Sequence, residues 1–204
     1  MSKKILFLTN NTTSQPLIQW LAERADVTVC GEKIGPEDIH RLKPDLVVSY
    51  SYRHILKRDV LNLRPGTFVN LHISYLPHNR GADPNVWSFL KNTPKGVTIH
   101  LIDEGLDTGD ILLQKQITFD EQHDTLNGSY NILQKEIQNL FMENWQNLSD
   151  GIIEAKVQEG EGSYHHSREF AAIKQELMGD EGWDVTIETL RMRYEALSLR
   201  KLGM

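Results

Sequence analysis

Hydrophobic positions along the chain fall into short blocks separated by polar turns, and their period changes from one block to the next. Ile5-Leu6-Phe7-Leu8, within residues 3–9, is a continuous apolar run, as a strand covered on both faces requires. The turn from Asn10 to Ser14 is polar. Ser14 is read as the N-cap of a helix reaching about Arg24, with Pro16 tolerated in its first turn. The pattern then predicts strands at Val27–Cys30, Asp45–Ser49 and Thr67–Leu71. Between them it predicts a helix over Pro36–Leu42, ended by Pro44, and a brief helix over Val60–Leu63, closed by Pro65-Gly66. Strands alternating with helices imply a parallel sheet with right-handed crossovers. Ligands of such sheets bind beyond the carboxyl ends of the strands, and Asn70 and His72 fall at one of those ends.

After Gly81 the pattern changes. Pro84–Leu90 reads as a helix, and Gly96–Asp103 and Asp110–Ile117 as two strands flanking the loop Glu-Gly-Leu-Asp-Thr-Gly. Asp124 is expected to cap a long helix. Its buried face would be Leu126, Tyr130, Leu133, Ile137, Phe141, Trp145 and Leu148, at steps of three and four, and Gly151 would stop it. The stretch Gln158–Ser167 is polar and glycine-containing and reads as a loop or extended arm; a last amphipathic helix is expected over Val185–Leu199. The whole predicts an α/β, Rossmann-like fold: a mostly parallel sheet with flanking helices and a small C-terminal helix/hairpin extension. The catalytic domain would cover residues 1–150, and residues 151–204 would pack on it.

Composition narrows the picture. A chain of 204 residues, 39% hydrophobic and 25% charged, reads as soluble and globular. The net charge of −6, without a basic block, argues against a general nucleic-acid binder, which needs a positive footprint. The single cysteine, Cys30, excludes an internal disulfide and a CxxC site, and is expected as a buried thiol on the second strand. The N-terminus is too soon polar for a signal peptide, and no apolar run approaches the ~20 residues of a membrane span. The expected location is the cytoplasm.

Asn70 and His72, two apart on a strand, share a face. The imidazole can accept a proton and the amide N–H can stabilise an oxyanion. Asp107, between Gly105 and Gly109, can approach and orient the imidazole. On the residues alone the bland reading stands beside this one: Asn and His satisfying backbone groups at a strand end, and Asp forming a turn. Asp103, Glu104, Asp107 and Asp110 cluster without calcium-loop spacing, and His72, His78 and Asp83 lack zinc-motif spacing, so no metal is expected. His78, His100 and His166 are read as outside the chemistry, with His100 alternating out of its strand into solvent.

The order Asn70-Leu71-His72, Ser74-Tyr75-Leu76-Pro77, Gly81, Gly96-Val97-Thr98 and Asp107-Thr108-Gly109 resembles the folate-dependent formyltransferases over roughly residues 45–117. Tyr75 departs from the Leu common there. The resemblance implies that Asn70, His72 and Asp107 are the catalytic trio and that N10-formyltetrahydrofolate is the co-substrate. It places the pterin against the segment Tyr52-Arg53-His54-Ile55-Leu56, contacted largely through backbone, with Asp103 also on the folate side.

Within that family, the string from Asn70 through Arg80-Gly81, Pro84 and Trp87, and the stretch Ile102–Ile111, are similar to the sugar-nucleotide N-formyltransferases. These act on nucleotide-linked amino-deoxysugars, such as dTDP-linked 3- or 4-amino sugars, for surface polysaccharides such as the O-antigen of lipopolysaccharide. Candidate acceptor contacts are Asn10, in a turn that can offer N–H groups, Arg80 as a pyrophosphate partner, Trp87 as a pocket wall, and Tyr164 (or its neighbour His165) as a base-stacking ring. Trp87 reads equally as core, and Tyr164 as part of a packed arm. Methionyl-tRNA is disfavoured by the acidic charge and the early end of the chain. Glycinamide ribonucleotide is disfavoured by the absence of a glycine phosphate loop after the first strand. A formyltetrahydrofolate hydrolase would be expected to carry an N-terminal regulatory domain, for which residue 3 leaves no room. A non-catalytic folate- or nucleotide-binding protein is the remaining alternative. A homodimer built on the region after residue 110 is also expected.

Overall fold

The computed structural model describes residues 2–201, so the last three residues of the expected C-terminal extension lie outside it. The described chain forms two compact units. The first comprises residues up to 72, 98–114 and 137–158; the second comprises residues 73–97, 115–136 and 159 onward.

The chain opens with β1 (Lys4–Leu8), α1 (Gln15–Ala22), β2 (Asp26–Cys30), α2 (Pro36–Leu42), β3 (Leu46–Tyr50), α3 (Arg58–Leu61) and β4 (Phe68–His72). It continues with β5 (Arg80–Gly81), α4 (Pro84–Leu90), β6 (Gly96–Leu101), β7 (Ile111–Gln116), α5 (Leu126–Glu143) and α6 (Trp145–Asp150). The last elements are β8 (Tyr164–His165), α7 (Ser167–Ala171), α8 (Lys174–Met178) and α9 (Ile187–Lys201). A six-stranded sheet runs in the order β2-β1-β3-β4-β6-β7. β1, β2, β3 and β4 pair in parallel, and β4 pairs antiparallel with β6. The sheet is thus a Rossmann-like, mostly parallel one with helices between its strands.

In the first unit, every residue of β3 is buried, as its apolar run requires. Leu6, Leu8, Ile39, Val47, Val60 and Phe68 form the core there. β2 differs from expectation: it is an edge strand, Val29 is 47% exposed, and Cys30 is only half buried, its Sγ 3.4 Å from Glu32 O. At this margin of the sheet none of its residues is fully buried. α2 ends where expected. Lys43 closes it in the left-handed region (φ 47°), its N–H bonded to Ile39 O, and Pro44 cannot continue the helix.

Two caps differ from the prediction. Ser14 precedes α1 but makes no capping bond; its hydroxyl is donated to Asn11 O at 2.7 Å, and Asn11 caps the short turn before it. Asp124 accepts the N–H of Asp120, and Thr125 takes the cap of α5 by accepting the Gly128 N–H. The long helix also breaks. Asn144 leaves helical geometry (φ −110°, ψ 12°), and α6 resumes the turn until Gly151 stops it.

The second unit packs around Val86, Trp87, Phe89, Leu126, Phe170 and Leu190. α9 contributes Ile187, Leu190, Tyr194 and Leu197 at steps of three and four, with the last two partly buried. α7 and α8 were not foreseen, each being a helix of about one turn. The expected arm closes a parallel two-stranded ladder, β5 with β8, tied by Arg80 N–H to Ser163 O and Ala82 N–H to His165 O, both 2.9 Å. Gly81 sits at φ 87°, and a Cβ there would meet His165 O at 2.5 Å.

His165 lies flat on Trp87, with ring centroids 4.2 Å apart and planes 7° apart. It is buried, its Nδ1 is 3.3 Å from Glu169 Oε2, and its Nε2 has no partner. Burial is the larger influence and holds its pKa below the ordinary 6.5; Glu169 pulls it up, and Lys91 pushes it further down. The unfolded chain therefore takes up this proton first as pH falls, so stability present above pH 6.5 is lost as pH drops toward the folded value. Urea unfolding of wild type and His165→Phe between pH 8 and pH 5 is expected to show a steeper acid loss in the wild type, since Phe keeps the stack and cannot titrate. Parallel curves would remove His165 from the acid response.

Candidate active site

The site grows from the register of one strand pair. Asn70 faces His100 and His72 faces Thr98 across the antiparallel β4–β6 ladder. Cross-strand partners share a face, so all these side chains project to one side of the sheet. There Asn70 Nδ2 lies 3.2 Å from His100 Nε2 and 3.1 Å from Asp107 Oδ1. His72 Nδ1 faces Asp107 Oδ2 at 3.7 Å, an ion-pair distance once the imidazole is protonated. His72 is 8% exposed and His100 2%. The three residues expected to act together therefore converge within the first unit.

His100 corrects the sequence reading. It is buried in the site, not solvated, and its Nδ1 is 2.7 Å from Leu101 O. A carbonyl only accepts, so Nδ1 carries the proton and Nε2 presents a lone pair to the Asn70 amide. The opposite amide orientation would set Asn70 Oδ1 against a carboxylate oxygen. The two amide hydrogens of Asn70 are thus committed, one to a ring nitrogen and one to Asp107. His100 became legible only with the strand pairing, because alternation assigns alternate faces but does not say which of them is covered.

Asp107 comes from the loop between β6 and β7 and sits in the left-handed region, φ 56°, which Asp tolerates better than most residues. Asp103 organises this loop: its Oδ1 accepts the Gly105 N–H at 3.1 Å and the Thr108 hydroxyl at 2.6 Å. Gly109 brings the backbone close to β6, where a Cβ would lie 1.9 Å from Leu101 O. On the other side, Gln158 Nε2 donates to Asp107 O and Gly109 O, each at 2.8 Å.

Beside the trio lies an open cleft lined by Tyr52, Arg53, His54, Ile55 and Leu56, by Asn70 and His100, and by Ile102, Asp103, Leu106 and Asp107. All the expected folate-side residues border it. Ile55, Leu56, Ile102 and Leu106 supply apolar walls for a flat ring, and the buried His54 Nε2 has no partner in the protein. Such walls with a few convergent polar groups suit a pterin. Asp103 borders the cavity while its Oδ1 holds the loop, so one of its oxygens is structural. No group of three or more His, Cys, Asp or Glu side chains able to hold a metal occurs among the described residues.

Asn10 braces the first unit. Its Oδ1 accepts the Arg53 N–H at 3.0 Å and its Nδ2 donates to Gly31 O at 2.8 Å, so its side chain steadies the folate-side segment. Arg80, Trp87 and Tyr164 belong to the second unit. Trp87 is buried against His165 as a core ring, the reading weighed beside a pocket wall. Tyr164 is 44% exposed and pairs through its backbone with Arg80.

Comparison with known proteins agrees with this geometry. The formyl transferase family profile matches residues 25–144. The methionyl-tRNA formyltransferase of Thermodesulfovibrio yellowstonii is 33% identical over 157 residues, covering 73% of this chain and 50% of that protein. The chain thus spans about half the length of the curated relatives it matches. Among solved structures, the formyltransferase PseJ from Anoxybacillus kamchatkensis, in complex with UDP-4,6-dideoxy-4-formamido-L-AltNAc and tetrahydrofolate, is 40% identical with a TM-score of 0.83, over 92% of this chain and 97% of that one. A sugar N-formyltransferase from a Shewanella species is 25% identical with a TM-score of 0.72, over 94% and 87% of the two chains. Among the described residues, no helix is long and apolar enough to cross a membrane.

The close approach at Gly109 has a measurable consequence. Gly109→Ala must push the loop off β6, a strain of about 1–3 kcal/mol. Thermal unfolding should show a lower Tm for Gly109→Ala than for wild type; equal values would mean that the loop is loosely held.

Proposed function

Because the chain belongs to the formyl transferase family, we propose that it moves a formyl group from N10-formyltetrahydrofolate to the amine of a nucleotide-linked amino-deoxysugar. The observation that carries the reading is the convergence of Asn70, His72 and Asp107 beside a cleft with apolar walls. The sugar nucleotide is supported by the PseJ complex, whose chain is matched almost end to end. The net charge of −6 also supports it, since tRNA binding calls for a positive surface. Both co-substrates are soluble metabolites, in keeping with a cytoplasmic enzyme that serves the synthesis of surface polysaccharide.

In this reading the acceptor amine attacks the formyl carbon, a C–N bond forms, and the carbonyl oxygen becomes an oxyanion. His72 takes the amine proton, and the resulting imidazolium faces the Asp107 carboxylate across 3.7 Å. Collapse of the tetrahedral species breaks the bond to N10, which takes the proton back from the His72 imidazolium and leaves as tetrahydrofolate. Asn70 reaches the oxyanion by giving up one of its two bonds. The bond to His100 is the weaker of them, since the one to the Asp107 carboxylate is charge-assisted. The curated relatives keep methionyl-tRNA as a second acceptor to be tested.

His72→Asn and Asp107→Asn are each expected to lower kcat/KM about 10²- to 10⁴-fold, the usual range for a lost general base, while the Tm holds. Near wild-type turnover in either variant would dismiss that residue. The acceptor is tested by mixing enzyme and N10-formyltetrahydrofolate with UDP- and dTDP-linked 3- and 4-amino sugars, glycinamide ribonucleotide, methionyl-tRNA, or water alone. Turnover is expected only with an amino sugar. Formyl release in water alone would indicate a hydrolase, and formylation confined to methionyl-tRNA would overturn the sugar acceptor.

A further inference from the structure

We infer that Gln158 is a positioning residue for Asp107, acting through the backbone of the loop that carries it. The argument begins with a single antiparallel bridge. Ile111 and Lys156 exchange N–H to O bonds of 2.7 and 2.9 Å, which lays residues 156–158 alongside the end of the loop. Continued in that register, the strands set Gln158 opposite Gly109. The side-chain amide of Gln158 donates both of its hydrogens there, one to Asp107 O and one to Gly109 O, each at 2.8 Å. Both partners are carbonyls, which only accept, so the orientation of the amide follows from them.

Those two carbonyls belong to the 107–108 and 109–110 peptides, and the bonds hold both planes. Asp107 is held there at φ 56°, a conformation that a non-glycine residue keeps only when its surroundings impose it. Asp103 restrains the loop from within, through the Gly105 N–H and the Thr108 hydroxyl. Gly109 rests on β6 at Leu101. Gln158 restrains the loop from outside and reaches the residue that carries the carboxylate. Without its two N–H groups, the turn at Asp107 is free to relax toward right-handed φ, and the carboxylate leaves Asn70 and His72. Gln158 touches none of the reacting groups in this account; its effect passes through Asp107 alone.

The inference rests on the formyl-transfer reading, and its test separates the two. Gln158→Met keeps the length of the side chain and removes both donors. With wild-type enzyme active, the variant is expected to lose at least about tenfold in kcat, with both KM values within about twofold, because displacing a catalytic group costs rate more than binding. In an Asp107→Asn background the same substitution should cost less than about twofold, since a group acting through Asp107 has nothing left to position. A tenfold loss that persists in that background, or a kcat for Gln158→Met within twofold of wild type, overturns the inference. A second readout needs no turnover. Amide hydrogen exchange of ligand-free protein should accelerate at residues 103–109 in Gln158→Met, with the sheet unchanged. Unchanged exchange there overturns the clamp even in a protein that transfers no formyl group, a result that would independently sink the proposed reaction.

Discussion

The reversal of chain direction between β4 and β6 is the constraint on which the site depends. Parallel strands deliver their carboxyl ends to one edge of a sheet, and β4 brings Asn70 and His72 there. A further parallel strand would have delivered its own carboxyl end and following loop to that same edge. β6 instead runs back along β4, so that His100 and Thr98 face Asn70 and His72 in register. Two strands of opposite direction thus assemble on one face what neither carries alone. The loop that follows β6 begins beside Phe68, where Ile102 N–H reaches Phe68 O, and folds back over that face to bring Asp107 to Asn70.

Such a cluster is costly to bury unless each polar group finds a partner. Asn70 supplies its amide hydrogens to Asp107 and His100, His100 gives its own proton to a backbone carbonyl, and Asp107 faces His72. The apparent surplus is His54, whose Nε2 is buried and unpartnered at the adjoining cavity. Polar groups within the protein are therefore matched around the trio, and the unmatched one lies where a polar ring system would be received.

Much of the first unit was legible because its strands are apolar runs and its helices end at Gly and Pro. Pro36–Leu42 and Pro84–Leu90 were read to the residue, since proline opens both. What escaped were features decided by partners distant in sequence. Burial of β2 depends on what covers its faces at the margin of the sheet, so Cys30 was expected buried and is not. His100 was assigned to solvent because alternation cannot identify a face until β4 pairs with β6. The two-residue ladder of β5 and β8 is too short to leave a period. The break at Asn144 falls inside an unbroken helical stripe, because a local departure in φ and ψ changes no hydrophobic spacing. The trio itself was joined by family resemblance; Asp107 stands in a loop, where no periodicity connects it to β4.

That difference of origin shapes the architecture around the site. Asn70, His72 and His100 sit on strands whose hydrogen-bonded ladders fix each backbone, and they need no special support. Asp107 alone comes from a loop and alone has positive φ among them. Loops are the softest part of a fold, yet the carboxylate must stand within ångströms of an imidazole. The structure meets this by surrounding one residue with restraints of different kinds: a carboxylate within the loop at Asp103, steric contact at Gly109, and a bidentate amide at Gln158. Of these, Asp103 and Gly109 shape the turn locally, and neither anchors it to another segment of chain beyond β6. Gln158 does, arriving by way of the Ile111–Lys156 bridge from residues that the sequence presents only as a polar arm. A catalytic group on a loop implies a brace somewhere in the chain, and side-chain donors aimed at its flanking carbonyls mark where to look for one.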